Sequence, residues 1–325
     1  MKQSSTVLPP QAETRNQNAA GAHLALVAVQ LIFGTWPIVG KIALRELPST
    51  GLVAFRVFGA TAAFFLILRS RGRVTVPRRA DLTRLALFGL LGVVLNQLFF
   101  VKGVALSTVV NAALIGTAIP VFTLLVGALF GFERLSARAA LGTLVAAAGV
   151  VYLIDPLRAD FSGGKALGNL LLVCSNLAYG SYIAVSRDVF RRYGALNAVA
   201  WVFAFACIPT IPLGGYYLSR IPLGQLSWMT WASVAYIVLV PTVGAYYLNA
   251  LALERVAPST VAVYIYLQPL VAFAVAPLLL GADEQWVARN WVAAALIFTG
   301  VAVVTLRARS RVVEEISERP EALGH

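Results

Sequence analysis

Two stretches of the chain place an amide and two aromatic side chains at a spacing of three residues. They are Gln30, Phe33 and Trp36, and Asn176, Tyr179 and Tyr182. Residues three or four apart share one face of a helix, and polar groups within an apolar helix turn away from lipid. The two faces therefore predict opposite walls of an interior site. Aromatic surfaces with a few uncharged hydrogen-bonding groups suit an organic solute that has an apolar part.

Further amide and tyrosine side chains lie inside other apolar stretches and extend this predicted site. The candidate substrate-binding residues are then Gln30, Trp36, Asn96, Gln97, Asn111, Asn176, Tyr179, Tyr182, Tyr246, Tyr264 and Gln268. Each of them could make only an interhelical hydrogen bond, and it is the set as a whole that indicates a solute site. A highly charged phosphate ester fits poorly, because the set contains no lysine or arginine.

The sequence shows no residue pattern that would support catalysis or hold a metal ion or cofactor. The two histidines, His23 and His325, are far apart, and neither a Gly-rich phosphate loop nor a Ser–His–Asp set is present. An enzyme within a membrane would need a nucleophile with a base, or a metal ion. Cys174 and Cys207 both lie in apolar stretches and are expected to be inert packing residues. We therefore predict a protein without enzymatic activity, cofactor or metal.

Arg56 is the only charged residue that lies clearly inside an apolar stretch. At a rise of about 1.5 Å per residue, it lies roughly 9 Å from the predicted outer end of its helix. We expect a structural role for it. The side chain either extends outward to water or pairs with Glu46 across the short turn.

The composition is that of an integral membrane protein. The chain is 59% hydrophobic and 12% charged, with a mean hydropathy of +0.79, whereas soluble domains are about a quarter charged. A helix of about twenty apolar residues is long enough to cross a bilayer. Ten such spans can be distinguished, at 22–43, 50–69, 82–102, 107–131, 138–154, 165–186, 195–219, 228–252, 257–281 and 287–306. The predicted fold class is an all-α membrane protein with ten transmembrane helices.

Basic residues lie mainly in alternate gaps between the spans, which gives the orientation of the chain. With the N-terminus in the cytoplasm, 18 of the 26 Lys and Arg fall in cytoplasmic segments and 7 in outer gaps, as the positive-inside rule requires. This distribution accounts for the net charge of +12 without nucleic-acid binding. Both termini are predicted to be cytoplasmic, with residues 1–21 forming a disordered tail.

The two halves of the chain repeat each other at a nearly constant offset. Pro120 and Pro269 are 149 residues apart, each in the middle of an apolar span, and we expect both to kink their helices and act as hinges. Each is followed by a glutamate and, 16 residues after it, a glycine: Glu133 and Gly149, and Glu284 and Gly300. Five spans per half is an odd number, so the second half must enter the membrane from the opposite side. This gives a 5+5 inverted repeat, which is typical of alternating-access transporters.

Small residues mark one side of the fifth span. Gly142, Ala146 and Gly149 follow one another at spacings of four and three residues. Small residues at such spacings let helices approach closely, so we expect the fifth and tenth spans to be packing elements.

The chain resembles the drug/metabolite transporter superfamily, in its ten-span EamA-type branch, over residues 22–306. The resemblance rests on Gly34-Thr35-Trp36 with Lys41 and Arg56, on Pro120…Glu133-Arg134-Leu135…Gly142…Gly149, and on the Pro269…Glu284…Gly300 echo. It implies two five-helix repeats, at 22–155 and 156–306, with a cytoplasmic tail at 307–325. It also implies a bacterial inner membrane, or an equivalent one, and a central cavity lined by spans 1, 3, 4, 6, 8 and 9.

The function that the resemblance implies is export or exchange of small metabolites by alternating access, with neutral or aromatic amino acids as the leading substrates. A sugar-phosphate or nucleotide-sugar exchanger and a non-transporting membrane scaffold are the alternatives. The expected partners are a small-molecule substrate and the lipid bilayer, without nucleic acid, for a monomer or homodimer. Because no Asp or Glu lies deep in a span, a midplane carboxylate is not expected to drive transport. Water-mediated coupling through Arg56 and Glu46 stays open.

Overall fold

The computed structural model of the chain describes residues 10–131, 137–154, 164–248, 264, 267–281 and 287–317. This part of the chain is almost entirely helical. Its helices are α1 (Pro10–Ala43), α2 (Ser49–Ser70), α3 (Arg79–Leu106), α4 (Val109–Gly116), α5 (Ile119–Leu129), α6 (Ala137–Ile154), α7 (Lys165–Tyr193), α8 (Ala195–Leu218), α9 (Trp228–Leu248), α10 (Leu267–Leu280) and α11 (Ala288–Ser317). A short 3-10 turn, Leu223–Gln225, connects α8 to α9.

Several of these helices are long and apolar enough to cross a bilayer. Within the described residues there are 6 such segments, and up to 7 if α4 and α5 count as one bent span. They belong to α1, α2, α3, α7, α8 and α9. Because lipid offers no hydrogen-bonding partner to the backbone, spanning segments must satisfy it internally, as helices do. The chain is therefore a multi-pass membrane protein, and the number of ten spans stays a prediction.

The first and last helices are longer than the spans predicted at these positions. Helix α1 begins at Pro10, so helical structure reaches into residues 1–21, which we expected to be disordered. Helix α11 continues to Ser317, beyond residue 306, where we expected the last span to end. Apolar content marks the membrane-embedded part of a helix, and a helix can continue past that part into polar sequence.

The helix around Pro120 is broken rather than kinked within one continuous element. Helices α4 and α5 meet at an angle of 42°, and Pro120 lies in the first turn of α5. A proline is well tolerated there, since the N–H groups of a first turn have no intrahelical partner. The carbonyl of Ile115, next to the break, accepts a hydrogen bond of 2.8 Å from Asn176 Nδ2. Pro269 lies in the helical segment α10, whose described residues begin at Leu267.

Two helices change their winding in the middle. Helix α3 is a π-helix over Leu90–Leu95, and α9 is a π-helix over Val238–Gly244. Such segments are rare and occur frequently at functional sites. In α9 the Thr242 hydroxyl donates to the carbonyl of Ile237 at 2.8 Å, which leaves its oxygen available as an acceptor.

Helices α6 and α11 pack closely, as do α2 and α8. A Cβ atom added to Gly300 would lie 2.5 Å from the carbonyl oxygen of Gly142 and 2.4 Å from the backbone nitrogen of Ala146. One added to Gly149 would lie 2.9 Å from Leu296 Cβ. The prediction that the small residues of the fifth span form a packing face against a neighbouring helix is confirmed.

Polar side chains join helix ends on both sides of the bundle. At one end the Glu46 carboxylate accepts from the Ser227 backbone N–H at 2.8 Å and from the Thr230 hydroxyl at 2.9 Å, and we call these three residues the Glu46 cluster. At the other end Asp81 accepts from Arg192 at 2.8 and 3.0 Å and from the Tyr193 hydroxyl at 2.7 Å, which forms the Asp81 cluster. The first cluster ties the end of α1 to the start of α9, and the second ties the end of α7 to the start of α3.

The Glu46 cluster predicts a pH-dependent contribution to stability. The Ser227 backbone N–H and then the hydroxyls of Ser227 and Thr230 lower the pKa of Glu46 below its ordinary value, because hydrogen bonds to a carboxylate favour its charged form. A lowered pKa in the folded state stabilises the protein above the unfolded pKa, and this stabilisation is lost as pH falls through the folded value. We expect the thermal midpoint of the purified protein to exceed that of Glu46→Gln by a few degrees at pH 7. The difference should shrink toward pH 3, and a difference independent of pH would contradict the assignment.

Candidate substrate-binding site

The centre of the bundle holds a buried arginine. Arg56, on α2, is only 3% exposed. Its Nε donates to Thr242 Oγ1 at 2.7 Å, and its Nη1 donates to Gln97 Oε1. Both acceptors lie at the π-helical regions, with Gln97 just after the segment in α3 and Thr242 inside the segment in α9. The altered winding thus coincides with the places where two helices accept hydrogen bonds from the cation.

Aromatic rings surround the guanidinium. Its central carbon lies 4.4 Å from the centroid of the Trp36 ring, within the distance of a cation–π interaction. Trp36 in turn stacks on Phe100, with ring centroids 6.2 Å apart and planes inclined by 22°. Tyr179 and Tyr246 also lie near Arg56. We call Arg56 and the residues that surround it the Arg56 cluster: Trp36, Gln97, Phe100, Tyr179, Thr242 and Tyr246.

The aromatic surface continues beyond this cluster. Tyr246 meets Phe203 edge-on at a centroid distance of 5.5 Å and Phe33 at 6.3 Å. Tyr182 lies 5.7 Å from Tyr179 and belongs to the same buried core as Trp36. Helices α1, α2, α3, α7 and α9 therefore contribute to one region that combines a cation, uncharged hydrogen-bonding groups and aromatic faces. Such a region can bind a solute with an apolar part and a polar end.

Two predicted amides pair with each other. Gln268 Nε2, on α10, donates to Gln30 Oε1, on α1, at 2.6 Å. Gln30 is buried and Gln268 half-buried. This bond joins the first predicted span to the ninth, both of which carry candidate substrate-binding residues.

Three other predicted amides make interhelical bonds. Asn96 Nδ2 donates to Ser175 Oγ at 2.9 Å, and Asn176 donates to the carbonyl at the α4–α5 break. Asn111 donates to Asn169 Oδ1 at 3.1 Å and accepts from Asn290 Nδ2 at 2.9 Å. These contacts fit the alternative that such amides hold helices together, and a role for them in substrate binding stays a prediction.

The remaining predicted positions are only partly described. Tyr264 is half-buried, but the residues on either side of it lie outside the described part. The side chains of the two hinge candidates, Pro120 and Pro269, are likewise outside it, although both backbones are helical. Glu133 and Glu284 fall in undescribed segments, so the motif positions that they occupy are not placed.

Neither of the two environments predicted for the Arg56 side chain is found. Its side chain neither reaches water nor pairs with Glu46, which accepts from Ser227 and Thr230 instead. The sequence did carry a usable signal, because a lone charge within a span is costly in lipid and turns toward a partner in the interior. Thr242 carried no comparable signal, since its role depends on the π-helical winding of α9.

Comparison with known proteins identifies relatives along nearly the whole chain. The EamA-like transporter family matches residues 20–154 and 166–306. An uncharacterized transporter of Archaeoglobus fulgidus is 26% identical, over 76% of this chain and 85% of its own. A WAT1-related protein of Arabidopsis thaliana is 25% identical, over 88% of this chain and 86% of its own. A probable terminal-alkyne amino-acid exporter of Streptantibioticus cattleyicolor is 24% identical, over 88% of this chain and 95% of its own.

One solved crystal structure has the same fold. It aligns with a TM-score of 0.61 over 89% of this chain and 99% of its own, at 20% sequence identity. The family match is in two parts that together cover most of the sequence, one for each half. The chain is thus a member of the EamA-like transporter family.

Proposed function

We propose that this protein is a secondary transporter that exports small organic metabolites, such as neutral or aromatic amino acids, by alternating access around the Arg56 cluster. Its architecture would be ten transmembrane helices in a 5+5 inverted repeat. The observation that carries the proposal is that close contacts between the two halves occur in pairs, whose members are related by the sequence offsets of the repeat.

The clearest repeated contact involves two glycines. A Cβ atom on Gly34 would lie 2.6 Å from Val271 Cβ, and one on Gly180 would lie 2.9 Å from Phe122 Cβ. The glycines are 146 residues apart and their partners 149. Helices α1 and α10 thus approach each other as α7 and α5 do, which supports two equivalent halves.

The polar ends of the bundle repeat in the same way. Glu46 and Arg192 are 146 residues apart, and their partners Thr230 and Asp81 are 149 apart. The two π-helical segments of α3 and α9 also begin 148 residues apart. An inverted repeat brings equivalent positions around a shared axis near the midplane, and this symmetry supports a path that opens alternately to each side.

The substrate class is suggested by the relatives and by the site. The relative named as an amino-acid exporter covers most of the chain at low identity. The Arg56 cluster adds aromatic faces and the Gln97 amide, which suit a small solute with an apolar part and a polar end. Arg56 is the single buried cation among the described residues, which favours one anionic group over the multiple charges of a nucleotide sugar.

Counterflow in proteoliposomes tests the function. Vesicles loaded with unlabelled amino acid should take up the radiolabelled compound, whereas protein-free vesicles should not. We expect this exchange to proceed without a pH gradient, because no carboxylate is found deep in a span. Flux that requires an imposed proton gradient would contradict the prediction that transport is independent of protons. Absence of flux for every small organic solute tested would contradict the transport function itself.

We further propose a cell-membrane location with both termini in the cytoplasm. In a background of Cys174→Ser and Cys207→Ser, Val76→Cys should resist an impermeant thiol reagent in intact cells, because residues 70–80 are predicted to be cytoplasmic. Val76 is 74% exposed, so burial would not protect it. Gln225→Cys, in the turn between α8 and α9, is the matched outer position and should be labelled. The opposite pattern would reverse the topology.

A further inference from the structure

We propose that Arg56 binds a carboxylate of the transported solute, so that the substrates of this protein are organic monoanions or zwitterions with an apolar or aromatic part. The inference rests on the proposed transport function and narrows its substrate class. It assigns substrate binding to Arg56, for which the sequence alone predicted a structural role.

The guanidinium of Arg56 has more hydrogen-bond donors than its protein partners use. An arginine carries five N–H groups in a planar fork, and the protein uses two of them, one on Nε for Thr242 and one on Nη1 for Gln97. Nη2 makes no hydrogen bond to the part of the chain that is described. Three N–H groups therefore remain, on the two terminal nitrogens, and a fork of this kind matches the two oxygens of a carboxylate.

The cation also lacks a counter-ion. Across the described ranges no Asp or Glu lies within ion-pair distance of Arg56, whereas Arg84 and Arg192 both form ion pairs with aspartates at the ends of helices. A buried charge is costly unless it is paired and hydrogen-bonded. The two neutral acceptors and the Trp36 ring offset part of this cost. An anionic group that arrives with the solute would supply the missing charge.

The surroundings define what else the solute must carry. Trp36 and Phe100 form a stacked pair beside the guanidinium, and Tyr179 and Tyr246 lie near it. An aromatic or branched side chain could lie against these rings while its carboxylate meets Arg56. A phosphate dianion is less suitable, because the cluster offers one cation only among the described residues.

Matched pairs of acids and their amides test this inference directly. The pairs are L-phenylalanine, L-tryptophan, L-leucine and phenylacetate, each with its amide, and the purified full chain is assayed by ligand-dependent thermal stabilisation and by counterflow. We expect the wild-type protein to bind at least one acid about tenfold or more tightly than its amide, because hydrogen bonds between charged groups are the strong ones.

Variants of Arg56 test whether this residue causes the preference for the acid over its amide. Arg56→Gln should bind the acid and the amide equally, and Arg56→Lys, which keeps the charge without the fork, should retain a reduced preference. Arg84→Gln removes an exposed arginine of the same size and should leave the preference unchanged. The wild-type comparison needs no variant, so it stands even if Arg56→Gln fails to fold.

Each outcome separates the two proposals. Counterflow of solutes with equal binding of acids and amides overturns the carboxylate site and leaves the transport function intact. If Arg56→Gln still prefers the acid, the carboxylate binds elsewhere and the proposed site at Arg56 is wrong. The proposed site is also wrong if the protein binds neither the acid nor the amide of any pair. Absence of flux for every solute, with the acid preference still present, contradicts the transport function alone.

Discussion

Replacing Trp36 by alanine is expected to weaken substrate binding by about tenfold or more and to reduce transport accordingly. The indole ring holds the Arg56 guanidinium at 4.4 Å and stacks on Phe100. A desolvated cation–π contact is worth about 2 kcal/mol, and its loss would free the arginine to take other orientations. Binding is measured by ligand-dependent thermal stabilisation and transport by counterflow.

Tyr182→Ala should have a similar effect, because it removes the ring that occupies the equivalent position in the second half and packs on Tyr179. Any large-to-small change in a core can destabilise a protein, so both variants must be monodisperse and folded. Trp228→Ala is the matched control, since this tryptophan is 74% exposed and should bind substrate like the parent. If Trp36→Ala and Tyr182→Ala also bind and transport like the parent, the substrate site lies elsewhere.

Replacing Gly300 by leucine is expected to prevent α6 and α11 from packing. The new Cβ would lie 2.4 Å from the Ala146 nitrogen and 2.5 Å from the Gly142 oxygen, and both atoms belong to a helix backbone that cannot move aside as a flexible side chain could. Overpacking of a core costs about 1–3 kcal/mol and occasionally more. We expect the destabilisation of Gly300→Leu to lie at or above the upper end of this range. It should be seen as aggregation in size-exclusion chromatography or as a large drop in thermal midpoint.

Gly215→Leu is the control for the effect of adding the same side chain to a membrane helix. Gly215 lies within α8, and a Cβ atom there would meet nothing within 4 Å. Since leucine also favours the helix over glycine, this variant should be at least as stable as the parent. A folded Gly300→Leu protein with an unchanged thermal midpoint would show that α6 and α11 are not in such close contact.

The parts of this fold that depend on local sequence could be predicted. Apolar length placed the helices, and the spacing of Gly142, Ala146 and Gly149 predicted a packing face that the structure confirms. The break at Pro120 was predicted as a kink, because the sequence reveals that a proline removes a hydrogen bond but not where the helix restarts. In the structure it restarts at Ile119, which leaves the proline in a first turn.

The parts that depend on distant partners could not be predicted in the same way. Asn96 and Gln97 are neighbours in sequence, yet Asn96 bonds to Ser175 while Gln97 accepts from Arg56. Which of two adjacent amides faces the site is set by the winding of α3 and by the helices around it. Pairing with Glu46 was one of the two expectations for Arg56 because Glu46 is near in sequence, whereas the actual partners of Arg56 are 41 and 186 residues away.

The equivalence of Glu46 and Arg192 bears on how the two halves diverged after the ancestral gene was duplicated. Glu46 follows the end of α1 and Arg192 lies in the last turn of α7, and both bind the start of a neighbouring helix, yet one is an acid and the other a base. Inversion sends copies of the same position to opposite sides of the membrane, and basic residues are favoured on the cytoplasmic side only. In the proposed orientation Arg192 is on that side and Glu46 is not. In the proposed inverted repeat both copies keep the helix-to-helix contact, and only the copy on the cytoplasmic side, Arg192, carries the positive charge that favours this orientation.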